Sequence, residues 1–353
     1  MGKEMARRTD IAVTADGVDI TRDLRPYLLT LTYTDNEEDR TDDLQITLQD
    51  REQRWMDHWL GEVIQGAAAA RLKLTAQIIQ RDWTGPGKDR VLPCGSFEVD
   101  SVTADGPPSA VTVKATSLAF SQSIRQTDKS KAWEGCRLSG IAREMAENAG
   151  MALLYEAGED PYYRRVEQMK TSDIQFLSQL CHGQGISLKA TADKLVLFDQ
   201  RAYEGKDPVR TLRRKAGGYS SYTLETGSAD SQYASCRVSY TNGRGKVIQG
   251  TYTDPELAEK AGADSAQRLE ITARADSPGE AETLAKKHLR LHNRFARTAS
   301  FTLAGDPTLA AGEVLRLEGW GAWDGNYIVK QAQHTVGTGG YTTKLALRAC
   351  LGY

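Results

Sequence analysis

The stretch RTASFTLAGDPTLAAGEVLRLEGWGAWDGNYIVKQAQHTVGTGGYTTKLAL, Arg297 to Leu347, decides how the rest of the chain is read. Ser300, Thr302 and Ala304 alternate with Phe301 and Leu303 until Gly305-Asp306-Pro307 breaks the run. Val314, Leu315 and Leu317 follow Gly312 as a second short strand, and Trp320 to Gly325 form a glycine-rich loop. Tyr327, Val329 and Ala332 mark a third strand, a Gly337–Gly340 turn closes it, and Tyr341 to Leu347 make a fourth. Each segment is closed by turn residues and no helix fits between them, so the stretch predicts a compact antiparallel barrel or sandwich.

An echo lies upstream. Gly95-Ser96-Phe97-Glu98-Val99-Asp100-Ser101-Val102 lines up with Gly325-Asn326-Tyr327-Ile328-Val329-Lys330-Gln331-Ala332: glycine, spacer, aromatic, spacer, valine, two polar residues, small apolar. Each is followed by a glycine-containing turn and an alternating strand, through Val111, Val113 and Ala115 or through Tyr341, Thr343, Leu345 and Leu347. Strands rich in aromatics and valine look alike, and the other reading is one unit used twice.

The chain has 353 residues, enough for two or three domains with real cores. Forty-five basic and 47 acidic side chains leave a net charge of −2, which gives no general pull toward nucleic acid or anionic membrane. No apolar run approaches a bilayer span; the best candidate, Val63 to Ala70, is short and stops at Arg71. The N-terminus MGKEMARRTD lacks the apolar core of a secretory signal. Five scattered cysteines argue against a disulfide framework and for a reducing compartment. The expectation is a protein made in a cytoplasm, with no membrane anchor and no export signal of its own.

In order, Ile11 and Val13, an Asp16-Gly17 turn, Leu28 to Tyr33, and Leu44, Ile46 and Leu48 read as strands. Between the last two lies an acidic loop, Asp35 to Asp43. Clustered carboxylates suit Ca²⁺ or Mg²⁺, but the loop lacks EF-hand order and reads as solvated. Trp55, Met56 and Trp59 follow at helical or turn spacing, then more strand at Leu72–Ile79 and Val91–Ala115. The middle third is different. Leu138, Ile141, Ala142, Met145 and Ala149 share a helical face with Gly150 as its C-terminal cap, and Tyr155 to Arg165 reads as a charged loop. Ser172 can cap a second helix bearing Ile174, Leu177, Leu180 and Cys181, and a hairpin turns around Ala192-Asp193. Strand pattern returns with Tyr219–Leu224, Ser235–Tyr240 and Val247–Tyr252. Ser277-Pro278-Gly279-Glu280 then opens a helix as a capping box.

No catalytic constellation stands out. His288 and His292 have metal-ligand spacing, but Leu289 stands where a zincin needs Glu, and no third ligand is indicated. Gly319 to Gly325 has the wrong glycine spacing for a dinucleotide loop. No Gly-x-Ser-x-Gly elbow or P-loop is present, and adjacent Cys181 and His182 point in different directions on a helix. Catalytic, cofactor and metal residues are therefore expected to be none.

The order of features resembles the late control protein D family, the tail hub of contractile-tailed phages. Tyr33-Thr34-Asp35-Asn36, Asp42-Asp43-Leu44 with Asp50, and Cys94 to Asp100 match near the start. Ser172-Asp173-Ile174-Gln175-Phe176-Leu177 and Gly185 match in the middle. Gly305-Asp306-Pro307, Gly312, Gly325 to Val329, His334 and Gly340-Tyr341-Thr342 match at the end. The resemblance implies an α+β, mainly β chain: a first tube-like antiparallel β-barrel over 1–127, an α+β module over 128–204, and a second barrel over 205–353 with a helical insertion at about 277–296. It implies a non-enzymatic homotrimer, in a contractile phage tail or a related contractile injection particle, joining a six-fold tail tube to a three-fold spike, with a channel for DNA and tape-measure protein. Its expected partners are the tail tube, baseplate wedge, tape-measure and spike proteins, without specific nucleic-acid binding. The chain ends at Tyr353, straight after the second barrel, so the spike is expected to be separate. The expected location is the virion tail, after assembly in the bacterial host cytoplasm. Other readings are a tail-associated cell-wall hydrolase and an effector-type binding module. Asp35, Asp42, Asp43, Trp55, Trp59, Trp320 and Trp323 are the candidate interface residues, with simple burial of the tryptophans as the alternative.

Overall fold

The computed structural model describes residues 7–38, 40–55, 72–117, 123–227, 232–255, 257 and 267–353. A period of two dominates it: Leu44, Ile46 and Leu48 are buried and the residues between them are not. Strands β1 (Arg8–Ala15) and β2 (Val18–Asp19), a short helix α1 (Thr21–Leu24), then β3 (Leu28–Asn36), β4 (Asp43–Gln49), β5 (Lys73–Arg81), β6 (Arg90–Asp105) and β7 (Ala110–Thr116) make the first unit. They pair antiparallel in the order β3-β4-β7-β6-β5-β1-β2. Val13, Leu31, Ile46, Ile78, Phe97 and Val113, from strands far apart in that order, share one core, so the sheet curls around its own apolar face.

The middle module holds α2 (Ser123–Gln126), β8 (Lys129–Arg137), α3 (Leu138–Asn148), β9 (Ala152–Glu156), β10 (Tyr162–Thr171), α4 (Asp173–Gly183), β11 (Ser187–Ala190), β12 (Lys194–Phe198) and α5 (Gln200–Glu204). Its core joins Ile141, Met145, Phe176, Leu177, Leu188 and Leu195. Ser172 caps α4 by accepting the Gln175 N–H, and Gly150, at φ 69°, follows the end of α3. The charged stretch read as a loop is a correction. Its ends belong to strands, because β10 pairs with β8 and sets Tyr163 opposite Cys136 and Arg165 opposite Glu134. A two-stranded ribbon can carry charge on its open face and still bury Val166 and Tyr163 against the core.

The last part runs β13 (Arg210–Arg213), β14 (Ser221–Thr226), β15 (Ser235–Thr241), β16 (Val247–Thr253), β17 (Arg268–Thr272), α6 (Pro278–Asn293), β18 (Arg297–Ala304), β19 (Val314–Glu318), β20 (Gly325–Gly337) and β21 (Gly340–Ala349). Its sheet has the order β14-β18-β21-β20-β19-β13 around Phe301, Leu315, Tyr327, Val329, Leu345 and Leu347. Ser277 caps α6 by accepting the Glu280 N–H at 3.2 Å, as its sequence predicts. That helix packs with β15–β17 around a core of its own, made by Val238, Ile248, Ala281, Leu284 and Leu289.

β20 joins the two large sheets. Its first half pairs with β19; after a bulge between Val329 and Gln331, its second half pairs with β3, setting Ala332 opposite Asp35 and His334 opposite Tyr33. The strands of the two large units thus form one open 13-stranded sheet, and no sheet among the described residues closes into a barrel. This departs from the two barrels expected, for a physical reason: the edge of β3 is taken by β20 of the other unit.

Two outcomes follow from the packing of α6. A Cβ on Gly250 of β16 would lie 2.3 Å from the Glu282 nitrogen and 2.6 Å from the Ala281 carbonyl carbon. Gly250→Ala should therefore lose about 1–3 kcal/mol in urea unfolding by overpacking, whereas Gly243→Ala, with open space around its position, should change little. Burial, with His182 and His292 nearby, pushes buried His288 down to about 4. The unfolded chain takes up this proton first, so stability is lost as pH falls from about 6.5 toward 4. His288→Gln should flatten that part of a stability-versus-pH curve.

Candidate functional site

The acidic loop after β3 is not solvated. Lys189 Nζ of β11 donates to Asp35 at 2.7 Å and lies 3.4 Å from Asp42, while the Ala311 N–H donates to the other Asp35 oxygen at 2.8 Å. Asp42 also accepts the Asn36 N–H at 2.8 Å. Arg348, 0% exposed on β21, donates to Glu37 at 2.7 Å and to Glu204 of α5 at 2.5 Å. Glu204 further accepts from Arg290 of α6 at 2.8 Å and from the Leu351 N–H at 2.9 Å. Glu38 takes Arg294 and Gln200.

The electrostatics follow from burial. Burial raises the Glu37 carboxyl above its ordinary value against the pull of Arg348, and pushes Asp42 up to about 6 against the pull of Lys189. Burial opposes the charge on Lys189, yet the Asp35 and Asp42 carboxylates overcome it and raise its pKa. This is an intrachain clamp that ties first unit, middle module, α6 and second unit together. Among the described residues no group of three or more His, Cys, Asp or Glu could hold a metal ion.

The remaining candidates separate. Asp43 points to the open face of β4, where burial and Asp100 raise its pKa. Trp55 is half-buried beside the first core, edge-on to Tyr27 at 5.9 Å, and Trp59 lies outside the described residues. Trp320 is 4% exposed, and its Nε1 donates to the Leu212 carbonyl at 2.8 Å within the second core. Trp323 packs half-buried against the same core.

A surface that sequence reading had not singled out crosses both units. On the face of the large sheet away from the cores lie Thr32 and Thr34 of β3, Gln45 and Thr47 of β4, Thr112 and Lys114 of β7, Ser300 and Thr302 of β18, Gln333 and Thr335 of β20, and Lys344 of β21. Hydroxyls meet across strands, Thr47 with Thr112 at 3.2 Å and Thr32 with Thr335 at 3.3 Å, the second pair across the junction of the units. Lys114 lines one hollow with Asp43 and Asp100, and Lys344 and Glu225 stand on the same face, so the face carries charges of both signs. Its signal is in the sequence as threonine, serine and glutamine at every second strand position.

The echo between β6 and β20 extends to whole units. Gly95 (φ 104°) and Gly325 (φ 135°) both sit in the positive-φ region of backbone space that favours glycine. Both long strands bulge at the equivalent place, between Val99 and Ser101 and between Val329 and Gln331. Their hairpin partners keep one register: Val99 faces Ala115 and Val102 faces Val113, as Val329 faces Leu347 and Ala332 faces Leu345. The order β3-β4-β7-β6-β5-β1 repeats as β14-β18-β21-β20-β19-β13. One difference is that β1 runs antiparallel to β5 while β13 runs parallel to β19.

The family model of the phage tail baseplate hub (GPD) matches residues 111–340. The chain belongs to this family. Baseplate hub relatives include the probable baseplate hub proteins of Escherichia phage P2, 28% identical over 219 residues, and of Escherichia phage 186, 25% identical over 217. The matches cover 59% and 60% of this chain, and the chain spans about half the length (51%) of each of these relatives. The fold is shared with a tail protein from Neisseria meningitidis MC58, at TM-score 0.70 and 12% identity over 97% of this chain and 96% of the other. It is shared too with the 43 kDa tail protein of prophage MuSo2 from Shewanella oneidensis, at TM-score 0.69 and 12% identity over 97% and 98%. A component of the E. coli type VI secretion system, itself described as similar to T4 tail proteins, matches at TM-score 0.53 and 10% identity over 99% of this chain and 76% of its own. Among the described residues no helix is long and apolar enough to cross a membrane.

Removing one partner of a buried, hydrogen-bonded ion pair leaves the other charge uncompensated. Arg348→Met should therefore lower the unfolding free energy by about 3–5 kcal/mol. Pairing it with Glu37→Gln should recover part of the loss in a double-mutant cycle followed by urea titration.

Proposed function

We propose that this chain is a non-enzymatic structural tail hub. Three copies form a ring that adapts a six-fold tail tube to a three-fold spike, around a channel through which DNA and tape-measure protein pass. The observation that carries this reading is the doubled strand unit in a baseplate hub family member. Two equivalent units per chain make three chains present six, and the difference in symmetry between tube and spike is then met inside one polypeptide.

The threonine- and glutamine-rich sheet face supports the channel. A wall of hydroxyls and amides with mixed charges lacks the cation array that holds a phosphate backbone by counterion release. In this reading the ends of the ring meet the tail tube protein on one side and the spike on the other, with baseplate wedge proteins around it. The particle is assembled in the host cytoplasm and serves in the virion tail.

Native mass by multi-angle light scattering tests it. A trimer, or a monomer that becomes a trimer when the spike protein of the same tail is added, is the expected result; a monomer that ignores the spike overturns the ring.

A further inference from the structure

The end of α4 meets α6 at a small contact lined by histidines. His182 stands in the last turn of α4, and His288 and His292 lie one turn apart on α6. The two elements come close there: a Cβ on Gly185, just past α4, would lie 2.7 Å from the Lys287 Cβ. Lys287 Nζ reaches Glu159 of the middle module at 2.5 Å, and that carboxylate is 60% exposed. The cores on either side are separate. Phe176, Leu177 and Cys181 belong to that of the middle module, and Leu284, Ala285 and Leu289 to that of α6. The contact can therefore part without opening either core.

His288 is buried at this contact, and its Nε2 has no hydrogen-bond partner among the described residues. A neutral ring nitrogen tolerates that. An imidazolium would hold a buried N–H without an acceptor, the costly case for a charge taken out of water. Burial, His182, His292 and Lys287 all oppose a positive charge on this ring, against the pull of the Gly183 backbone. The carboxylates of neighbouring elements are engaged elsewhere: Glu159 with Lys287, Glu204 of α5 with Arg290 and Arg348, and Glu38 of the first unit with Arg294. Under α6, strands β15, β16 and β17 bring the apolar side chains Val238, Ile248 and Ile271. His292 is half-buried and edge-on to Tyr233 at 5.9 Å; burial, then His182 and Arg294, push it down as well.

We propose that this contact is an acid-opened latch: protonation of His288 and His292 parts the end of α4 from α6, while both cores and the Arg348 clamp stay closed. Closed, His288 takes up its proton only at about 4; open to water, it does so near the ordinary histidine value of 6.5. Falling pH therefore favours the open form. Between pH 7 and pH 5 the opening constant rises about 20-fold from His288 alone, and His292 adds to it in the same direction. The clamp does not yield to the same acid. Burial raises Glu37 and Asp42, and a raised carboxyl takes up its proton more readily in the folded chain than in the unfolded one. In mild acid the middle module is thus held at the clamp and freed at its other end, without unfolding.

Hydrogen–deuterium exchange of the full chain at pH 7 and pH 5, corrected for the intrinsic rate at each pH, tests the latch. The Gln184 and Gly185 amides bond back to the Cys181 and His182 carbonyls, and Lys287 covers the turn they make. Their protection should fall about 20-fold or more at pH 5, while that of β3, β20 and β21 holds. His288→Gln/His292→Gln should remove the fall, with circular dichroism at pH 7 showing that the variant is folded. His292→Gln alone, at a half-buried position, should remove part of it and does not depend on the buried site accepting a new side chain. Protection at Gln184 and Gly185 that survives pH 5 overturns the latch, as does a fall that persists unchanged in the glutamine variants. A fall shared equally by β20 and β21 is global unfolding and overturns it too.

Discussion

Arg348 is the charge on which the rest of the arrangement turns. A guanidinium without solvent exposure is tolerable only with its hydrogen bonds filled, and Glu37 and Glu204 fill them from two other parts of the chain. Lys189, Arg290 and Arg294 extend the network, so strand β3, the middle module, helix α6 and strand β21 are all held against one acidic loop. The hydrophobic clusters lie mostly within single parts, with Val336 and Tyr341 of the second unit reaching into the first core, and apolar burial is non-directional. The clamp sets the parts against one another, since paired and directional charges accept few alternatives. The middle module is thereby held where the two sheet units meet.

The strand content was legible because half-buried strands write a period of two into the chain, and Phe301, Leu303, Leu345 and Leu347 keep it without interruption. The helix at Pro278 was legible from its cap, a local device that needs no tertiary partner. The echo around Gly95 and Gly325 was legible because a bulged strand needs the same glycine, aromatic and valine each time it is built. The clamp was not legible. Asp35, Glu37, Glu38 and Asp42 look like a solvated loop, and their basic partners lie 154 (Lys189 from Asp35), 256 (Arg294 from Glu38) and 311 (Arg348 from Glu37) positions downstream. Nor does a tryptophan announce whether it faces a core or a partner: Trp320 sits in the core, reaching Leu212 across 108 positions. Closure of the barrels failed as an expectation for a related reason. Alternation tells which face of a strand is buried and is silent about which strand lies beside it.

The polar sheet face and the internal repeat are two aspects of one constraint. A continuous wall of small polar residues requires neighbouring units to keep the same register, because a slip would bring apolar side chains onto it. The bulge after Val329 lets β20 serve β19 with its first half and β3 with its second, and the matched bulge after Val99 follows the part of β6 that pairs with β5. The family relationship, the shared fold and the doubled unit are thus all expressed in how β6 and β20 are built.

The span of the β3–β20 junction also sets an order of events during synthesis. Thr32 and Thr335 are 303 positions apart, so the first unit leaves the ribosome long before the strand that covers its edge exists. Through most of translation β3 is an open edge on a nascent chain, the kind of surface that recruits strands from neighbouring polypeptides. The final strands are therefore more than a C-terminal addition: their arrival ends the period in which the growing chain is most exposed to mispairing with its siblings on the same message.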